Sequence, residues 1–275
     1  MFQSRTEALL LALPAAVFAV VVFVLPVAIL LSEGFQAAGH LSLEPYLSFF
    51  AEPISLVVLW RTLRLGLAVT AAASVIGYAT ACAIVLLPAA HKGKMIGLII
   101  LPMMVSPVAR TYAWIVILGR TGIVNRALQA AGLTADPIRI LFSETAIFIG
   151  LLQLFLPLMV LSLVSALDNL PKDVVPAGRV LGANWLQIFI RIIVPLTKEG
   201  LVIGGTLVFT GSLTAYVTPA ILGGSKVLML ETLLYQRISI ANDVASASVI
   251  AFLLIAMSLV TSTLLSRLSS MERHR

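Results

Sequence analysis

Ionised side chains are scarce in this chain. They make up 11% of its 275 residues, against about 25% in an average soluble domain. A folded surface of this length cannot be covered with so little charge, which argues against a large soluble protein with an oily core. Cysteine is scarcer still. Cys82 stands alone, so an internal disulfide and any CxxC redox or metal site are excluded, and its place inside an apolar run marks it as a small packing residue. Acidic residues are outnumbered, 12 against 18 Lys and Arg, for a formal net charge of +6. That excess is not laid out as basic runs with interleaved aromatics, so it implies no nucleic acid. It suits basic residues held beside an anionic membrane leaflet. Catalytic signatures are missing too. Phosphate cradling by a P-loop needs GxxxxGK followed by Ser or Thr. Gly93-Lys94 is followed by Met95, and Gly223–Lys226 fails the spacing; no HExxH or GxSxG occurs. The chain is expected to be no enzyme, with no catalytic residue, cofactor or metal of its own.

What the chain has is length without charge, with 60% hydrophobic residues. Ala8–Ser32, Leu65–Ala90, Thr145–Leu167, Gly200–Ser225 and Val244–Ser266 carry no ionised residue, and Met95–Gly119 carries only Arg110. A helix crosses the hydrocarbon layer with about 20 apolar residues, whereas barrel strands show short alternating segments. The reading is an all-α integral membrane protein, one domain over residues 1–275 with six transmembrane helices. Their expected spans are 8–32, 62–90, 95–119, 144–168, 197–222 and 244–267. The first run is longer than the roughly 7–15 residues of a signal-peptide core. It is expected to be retained, with Pro14 and Pro26 at kinks or ends.

An even number of spans puts both termini on one side. That side would hold Arg5, Lys92, Lys94, Lys172, Arg179, Arg191, Lys198, Arg267, Arg273 and Arg275. The other would hold Arg61, Arg64, Arg120, Arg126, Arg139, Lys226 and Arg237. The short loop His91–Lys94 and the Arg273–Arg275 tail weigh most, being close to span ends. The first loop, with Glu33, Glu44 and Glu52, suits an outer face. Both termini are therefore expected in the cytoplasm, and with them residues 169–195, between the fourth and fifth spans.

That segment contains PAGRVLGANWLQIFIRIIVP, Pro176 to Pro195. Asp168-Asn-Leu-Pro171 is turn chemistry. Asp173 can cap a helix whose first turn tolerates Pro176, and Ala177 to Leu181 would be helical. Gly182 permits a bend. Trp185 to Ile193 reads as a second, amphipathic piece, with Ile188, Phe189 and Ile192 on one side and Gln187 and Arg191 on the other. Alone, the pattern equally describes an interfacial connector without a partner.

The spacing resembles the EAA loop of ABC-importer permease subunits: Glu-Ala-Ala, three residues, Gly, nine residues, Ile, one residue, Leu-Pro. Ala177, Gly182, Ile192 and Pro195 match it; Val194 replaces the leucine, Gly178 the second alanine and Pro176 the glutamate. Arg110-Thr-Tyr-Ala-Trp114, Leu118-Gly-Arg-Thr-Gly-Ile-Val-Asn125 and Val217-Thr-Pro-Ala-Ile-Leu-Gly-Gly224 resemble motifs of the spermidine/putrescine (polyamine) group of these permeases. The resemblance runs almost end to end. It implies the type I importer permease fold, in the bacterial inner membrane among lipid. It also implies a second, similar permease subunit, two ATPase subunits that hold ATP and Mg, and a periplasmic binding protein that delivers the solute. Residues 173–195 would be a cytoplasmic coupling helix docked on one ATPase. Asp173, Pro176, Ala177, Gly178, Arg179, Gly182, Trp185, Ile192 and Pro195 would form it, with Arg179, Trp185 and Arg191 suited to a protein contact.

Within the spans, Arg110 must face protein or water, since a guanidinium facing lipid costs about 2.5–3.5 kcal/mol on insertion scales. It either lines the pathway or makes a structural bond to helix-end carbonyls. Tyr112, Trp114 and Tyr216 read as interface anchors or as gate residues. Pro107 and Pro219 can break helices where a pathway needs irregular backbone. Ala73, Gly77 and Ala81, and Gly200, Gly204 and Gly205, permit close helix packing. Arg120–Leu133 could be a short outer helix that meets the binding protein. The function expected is translocation of a polyamine or related amino-acid-like solute, coupled to ATP hydrolysis by a separate subunit. Alternatives are another small organic solute in the same family, an ion-coupled secondary carrier, which would show inverted repeats and more buried charge, and an assembly factor.

Overall fold

The computed structural model describes residues 13–37, 40–171 and 173–270. Residues 8–12 of the first expected span, Arg5, Lys172, Arg273 and Arg275 lie outside the described residues. Among those described, regular structure is helical except for one short antiparallel ladder. In it β1 (Gln36–Ala37) pairs with β2 (His40–Leu41). The chain divides into two compact units, residues 1–57 with 233–255 and residues 58–232 with 256–275.

In the first unit, α1 (Leu13–Glu33) is apolar as far as Leu31 and its most apolar stretch has no buried residue, as expected of a surface that faces lipid or another subunit. It widens into a π-turn at Val20–Val24, where the Leu25 N–H bonds to the Val20 carbonyl just before Pro26. Proline has no N–H and its ring crowds the carbonyl four residues back; a wide turn absorbs the misfit. The ladder leads to α2 (Glu44–Ala51). The rings of Phe35 and Tyr46 are tilted on each other at 5.0 Å, and Phe252 packs edge-on against Tyr46 at 5.7 Å and Phe35 at 6.3 Å. The Ser55 hydroxyl donates to Glu52 at 2.6 Å, and Arg237 pairs with the same carboxylate.

The second unit is built on α7 (Glu144–Asp168), whose Ile147, Leu151, Met159 and Leu163 are fully buried. Small residues bring its neighbours close. On α3 (Pro53–Val85), Ala73, Gly77 and Ala81 are buried, and a Cβ on Gly77 would come within 2.7 Å of Met159. On α10 (Lys198–Leu213), a Cβ on Gly200 would lie 2.4 Å from that of Ala166, and the Ser162 hydroxyl donates to the Gly200 carbonyl at 2.7 Å. Such contacts are how helices associate where hydrophobicity alone gives no preference for protein over lipid.

Ion pairs mark the two ends of this unit. Arg61 and Arg64 pair with Glu144 at the start of α7, and Lys92 pairs with Asp168 at its end. Charges assigned to opposite sides from the sequence thus sit at opposite ends of one helix.

Among the described residues, four helices are long and apolar enough to cross a membrane: α1, α3, α7 and α13 (Val244–Ser270). Two bent pairs raise the number to six if each is a single crossing. The first pair departs from the straight span expected over 95–119. Helix α4 (Ala89–Ile100) ends in a 3-10 turn at Leu101–Met104, the chain extends at Val105-Ser106, and α5 (Pro107–Leu118) begins afresh, for a bend of 93°. Pro107 is the cause, since it drives the residue before it into extended backbone and suits a first helical position. The second pair, Trp185–Leu196 with Lys198–Leu213, bends by 69°. The helix expected over 197–222 also stops at Leu213 and resumes as α11 (Val217–Gly223). Helix α3 begins earlier than residue 62, because Arg61 and Arg64 find a carboxylate and do not end it. Two short helices outside these pairs are α6 (Ile123–Ala130) and α12 (Leu230–Ser239).

Candidate functional site

Beyond α7 the segment forms a helix, a bend and a second helix. Helix α8 spans Val174–Val180, starting earlier than the expected Ala177. Asp173 holds the N-cap position, but its carboxylate accepts no backbone N–H. Pro176 is third in the helix, where its missing N–H would have had no intrahelical partner. The far end closes as a Schellman motif: Ala183 N–H bonds to Gly178 at 3.0 Å and Gly182 N–H to Arg179 at 2.9 Å, with Gly182 at φ +79°. Asn184 then caps α9 (Trp185–Leu196). Its side chain accepts the Gln187 N–H, and the Gln187 side chain accepts the Asn184 N–H, both at 2.9 Å. This reciprocal box, Asn-x-x-Gln, was a readable signal that the sequence analysis missed.

One face of the segment is buried and the other is bare. Gly178 is covered by Ile188 and Ile192; a Cβ there would lie 2.8 Å from the tip of Ile192. On the other face Val180 and Leu181 are 89% and 86% exposed, beside exposed Trp185, Leu186, Ile190, Arg179 and Arg191. Ala177 and Pro195 are exposed as well. An exposed apolar ridge flanked by cations suits a contact with another protein. Arg179, Trp185 and Arg191 are legible in the sequence as contact residues; Val180 and Leu181 are not, since their hydropathy alone places them inside.

Helix α9 passes through a second π-turn, Phe189–Ile193, where Val194 N–H bonds to the Phe189 carbonyl ahead of Pro195. The spacing repeats that of α1. At the 69° bend into α10, the Thr197 hydroxyl donates to the Ile193 carbonyl at 2.8 Å. Its one hydrogen being used, it accepts from the Tyr78 hydroxyl, also at 2.8 Å. Tyr78 packs edge-on against Phe189 with centroids 5.6 Å apart. A residue of α3 therefore clamps both the bend and the helix that leads into it.

The pathway candidates gather around the two broken helices. Arg110 donates to the Pro102 carbonyl at 2.9 Å, across the Val105-Ser106 break. Trp114 is half-buried, its indole N–H 3.4 Å from the Gln153 side chain on α7. Tyr112 is exposed. Pro219 is buried in the first turn of α11 and Tyr216 precedes that helix, so the break falls at Thr214–Tyr216 and not at Pro219. The two breaks meet: a cavity of about 250 Å³ is lined by Pro107, Phe155, Gly211, Thr214, Tyr216 and Thr218. Its lining offers hydroxyls and aromatic faces and no ionisable acid or base other than the Tyr216 phenol.

The model of the family described as "Binding-protein-dependent transport system inner membrane component" matches residues 6–271. The chain belongs to this family. It is the permease component of a binding-protein-dependent ABC importer, an inner-membrane protein. Among the permease's relatives, the spermidine/putrescine transport system permease protein PotB of Haemophilus influenzae is 34% identical over 206 residues, covering 75% of this chain and 72% of that one. PotB of Escherichia coli K12 is 35% identical over 179 residues, 65% of each chain. The putative 2-aminoethylphosphonate transport system permease protein PhnU of Salmonella paratyphi A is 25% identical, covering 90% of this permease and 86% of that relative. The fold is that of a bacterial alginate ABC transporter crystallised in complex with its alginate pentasaccharide-bound periplasmic protein. The TM-score is 0.81 at 15% identity, over 97% of this chain and 95% of that one.

Proposed function

We propose that the permease carries a polyamine or a related small amine, delivered by a periplasmic binding protein and driven by a separate ATPase docked on residues 173–195. The docking reading rests on the exposed ridge of Val180, Leu181 and Trp185, carried on a segment fixed by a Schellman closure, a capping box and the Tyr78 clamp. A second permease subunit completes the pathway. Two ATPase subunits bind ATP and Mg and do the hydrolysis; the permease is not itself an enzyme.

The mechanism follows from the connections. Closure of the ATPases displaces α8 and α9. The clamped bend at Thr197 passes that displacement to α10. Gly200 and Gly204 leave α10 no slack against α7, so the motion reaches the break at Thr214–Tyr216. There a protonated amine meets the hydroxyls of Thr214, Tyr216 and Thr218 and the ring of Phe155, groups that bind an ammonium without trapping it. Arg110, its guanidinium held on the Pro102 carbonyl, fixes the break and takes no part in binding the amine.

A second solute reading is favoured by the similarity to the 2-aminoethylphosphonate permease over 90% of the chain. That compound is also a small amine. Uptake of labelled putrescine and spermidine by cells expressing the complete importer, with 2-aminoethylphosphonate as competitor, separates the two. Polyamine uptake untouched by the phosphonate supports the first reading. Coupling is tested by Gly182→Val, since a β-branched residue at φ +79° is strained. The variant is expected to lose the ATPase in a mild-detergent pull-down and to lose uptake. Full recovery of the ATPase, or uptake driven by a proton or sodium gradient alone, would sink the coupling reading.

A further inference from the structure

At the end of α7 remote from the coupling segment, three stretches of chain converge on a cavity of about 370 Å³ lined by Leu118, Arg120, Arg139, Phe142, Ser143 and Lys226. Arg120 follows α5, Arg139 precedes α7 and Lys226 follows α11. The side chains of these three cations make no ion pair or hydrogen bond among the described residues. The carboxylate closest along the chain to the cavity-lining Ser143, Glu144, is taken by Arg61 and Arg64.

The convergence is held by the backbone. Phe142, at φ +58°, donates its N–H to the Leu222 carbonyl at 2.9 Å. Its ring covers Gly224, also at φ +58°, where a Cβ would lie 2.9 Å from the ring. This interlock fixes the turn that carries Lys226 against the strand of chain that carries Arg139. Three like charges brought together without a counter-charge repel one another, and the positive end of the α7 dipole adds to the potential.

We propose that this cavity binds a phosphate group. Guanidinium forks match phosphate oxygens two at a time and an ammonium adds a point charge. Three cations answer the charge of a phosphate better than that of one carboxylate. The three segments are all span ends, the level at which lipid headgroups lie. An anionic phospholipid and free phosphate are two sources of the same chemistry. The proposal rests on the membrane placement of the chain and not on the identity of the solute.

The test uses the purified importer complex, delipidated in detergent. It is titrated with a short-chain phosphatidylglycerol, with the phosphatidylcholine of the same chains, and with inorganic phosphate, and bound species are counted by native mass spectrometry. Phosphatidylglycerol or phosphate is expected to bind in preference to phosphatidylcholine, about tenfold more weakly after each of Arg120→Gln, Arg139→Gln and Lys226→Gln. Arg126→Gln, exposed and outside the cavity, is expected to change nothing. Binding of phosphatidylglycerol that inorganic phosphate does not displace assigns the lipid; displacement assigns the free anion. Equal binding by the wild type and the triple Gln variant, at an unchanged thermal midpoint, overturns the site, as does binding of neither anion.

Discussion

Two carboxylates outside the spans respond to pH in opposite senses. The Ser55 hydroxyl, helped by Arg237, holds Glu52 below the usual carboxylate range. The folded protein therefore releases that proton more readily than the unfolded chain does. The stability Glu52 contributes is present above the unfolded value and is lost as pH falls through the lowered one. Burial pushes Glu231 the other way. It is least unfavourable below the ordinary carboxylate value, and stability is lost as pH rises from there through the raised value. Glu52→Gln is accordingly expected to lower the thermal midpoint of the purified importer at neutral pH. Glu231→Gln is expected to raise it. The Glu231 difference should vanish once pH falls below the ordinary carboxylate value, and the Glu52 difference only once pH has fallen through that residue's lowered value. A Glu231→Gln variant less stable than the wild type at neutral pH would show that the carboxylate has a partner.

At the scale of elements, the helix–bend–helix segment that follows α7 is held by its caps. Loss of an N-cap side chain costs about 1 kcal/mol. Asn184→Ala is expected to speed amide exchange at Gln187 to Phe189 about fivefold while leaving α8 unchanged. Unchanged protection would mean that the π-turn and Tyr78 alone hold α9. How far such elements can be read from sequence varies with the signal each carries. The charge-free run 145–167 forms one helix, α7, in spite of Pro157, because an apolar surround leaves the chain no other way to satisfy its backbone. The run 95–119 is apolar apart from Arg110 yet breaks, because Ser106-Pro107 follows Pro102 and the freed Pro102 carbonyl accepts from Arg110. Hydropathy counts residues; it does not register which carbonyl a guanidinium can reach. At the site, Gly182 and the helix–bend–helix order were legible from turn chemistry. Tyr78 was not, since its partners Phe189 and Thr197 are distant in sequence and meet it only through packing.

For the whole molecule, the seam between α7 and α10 bears on stability and, in the proposed mechanism, on transport. A side chain at Gly204 must displace Met159, whose sulfur would lie 2.7 Å from the new Cβ. Overpacking of this kind destabilises by about 1–3 kcal/mol. Gly204→Val should lower the thermal midpoint of the importer and slow uptake together. Gly97→Ala, whose Cβ meets nothing within 4 Å, should do neither. Loss of uptake with an unchanged midpoint would place the seam's role in motion alone.

The π-turn at Phe189–Ile193 also keeps a phase. A π-turn holds one residue more than an α-turn in about the same rotation of the helix. A residue deleted there, Ile190 for instance, would be taken from that surplus, and Trp185 would stay close to its present bearing about the axis. The same deletion in a plain helix turns everything before it by about 100°. The one-residue surplus is thus a reserve of length, through which the exposed ridge keeps its direction when a regular helix would be turned aside.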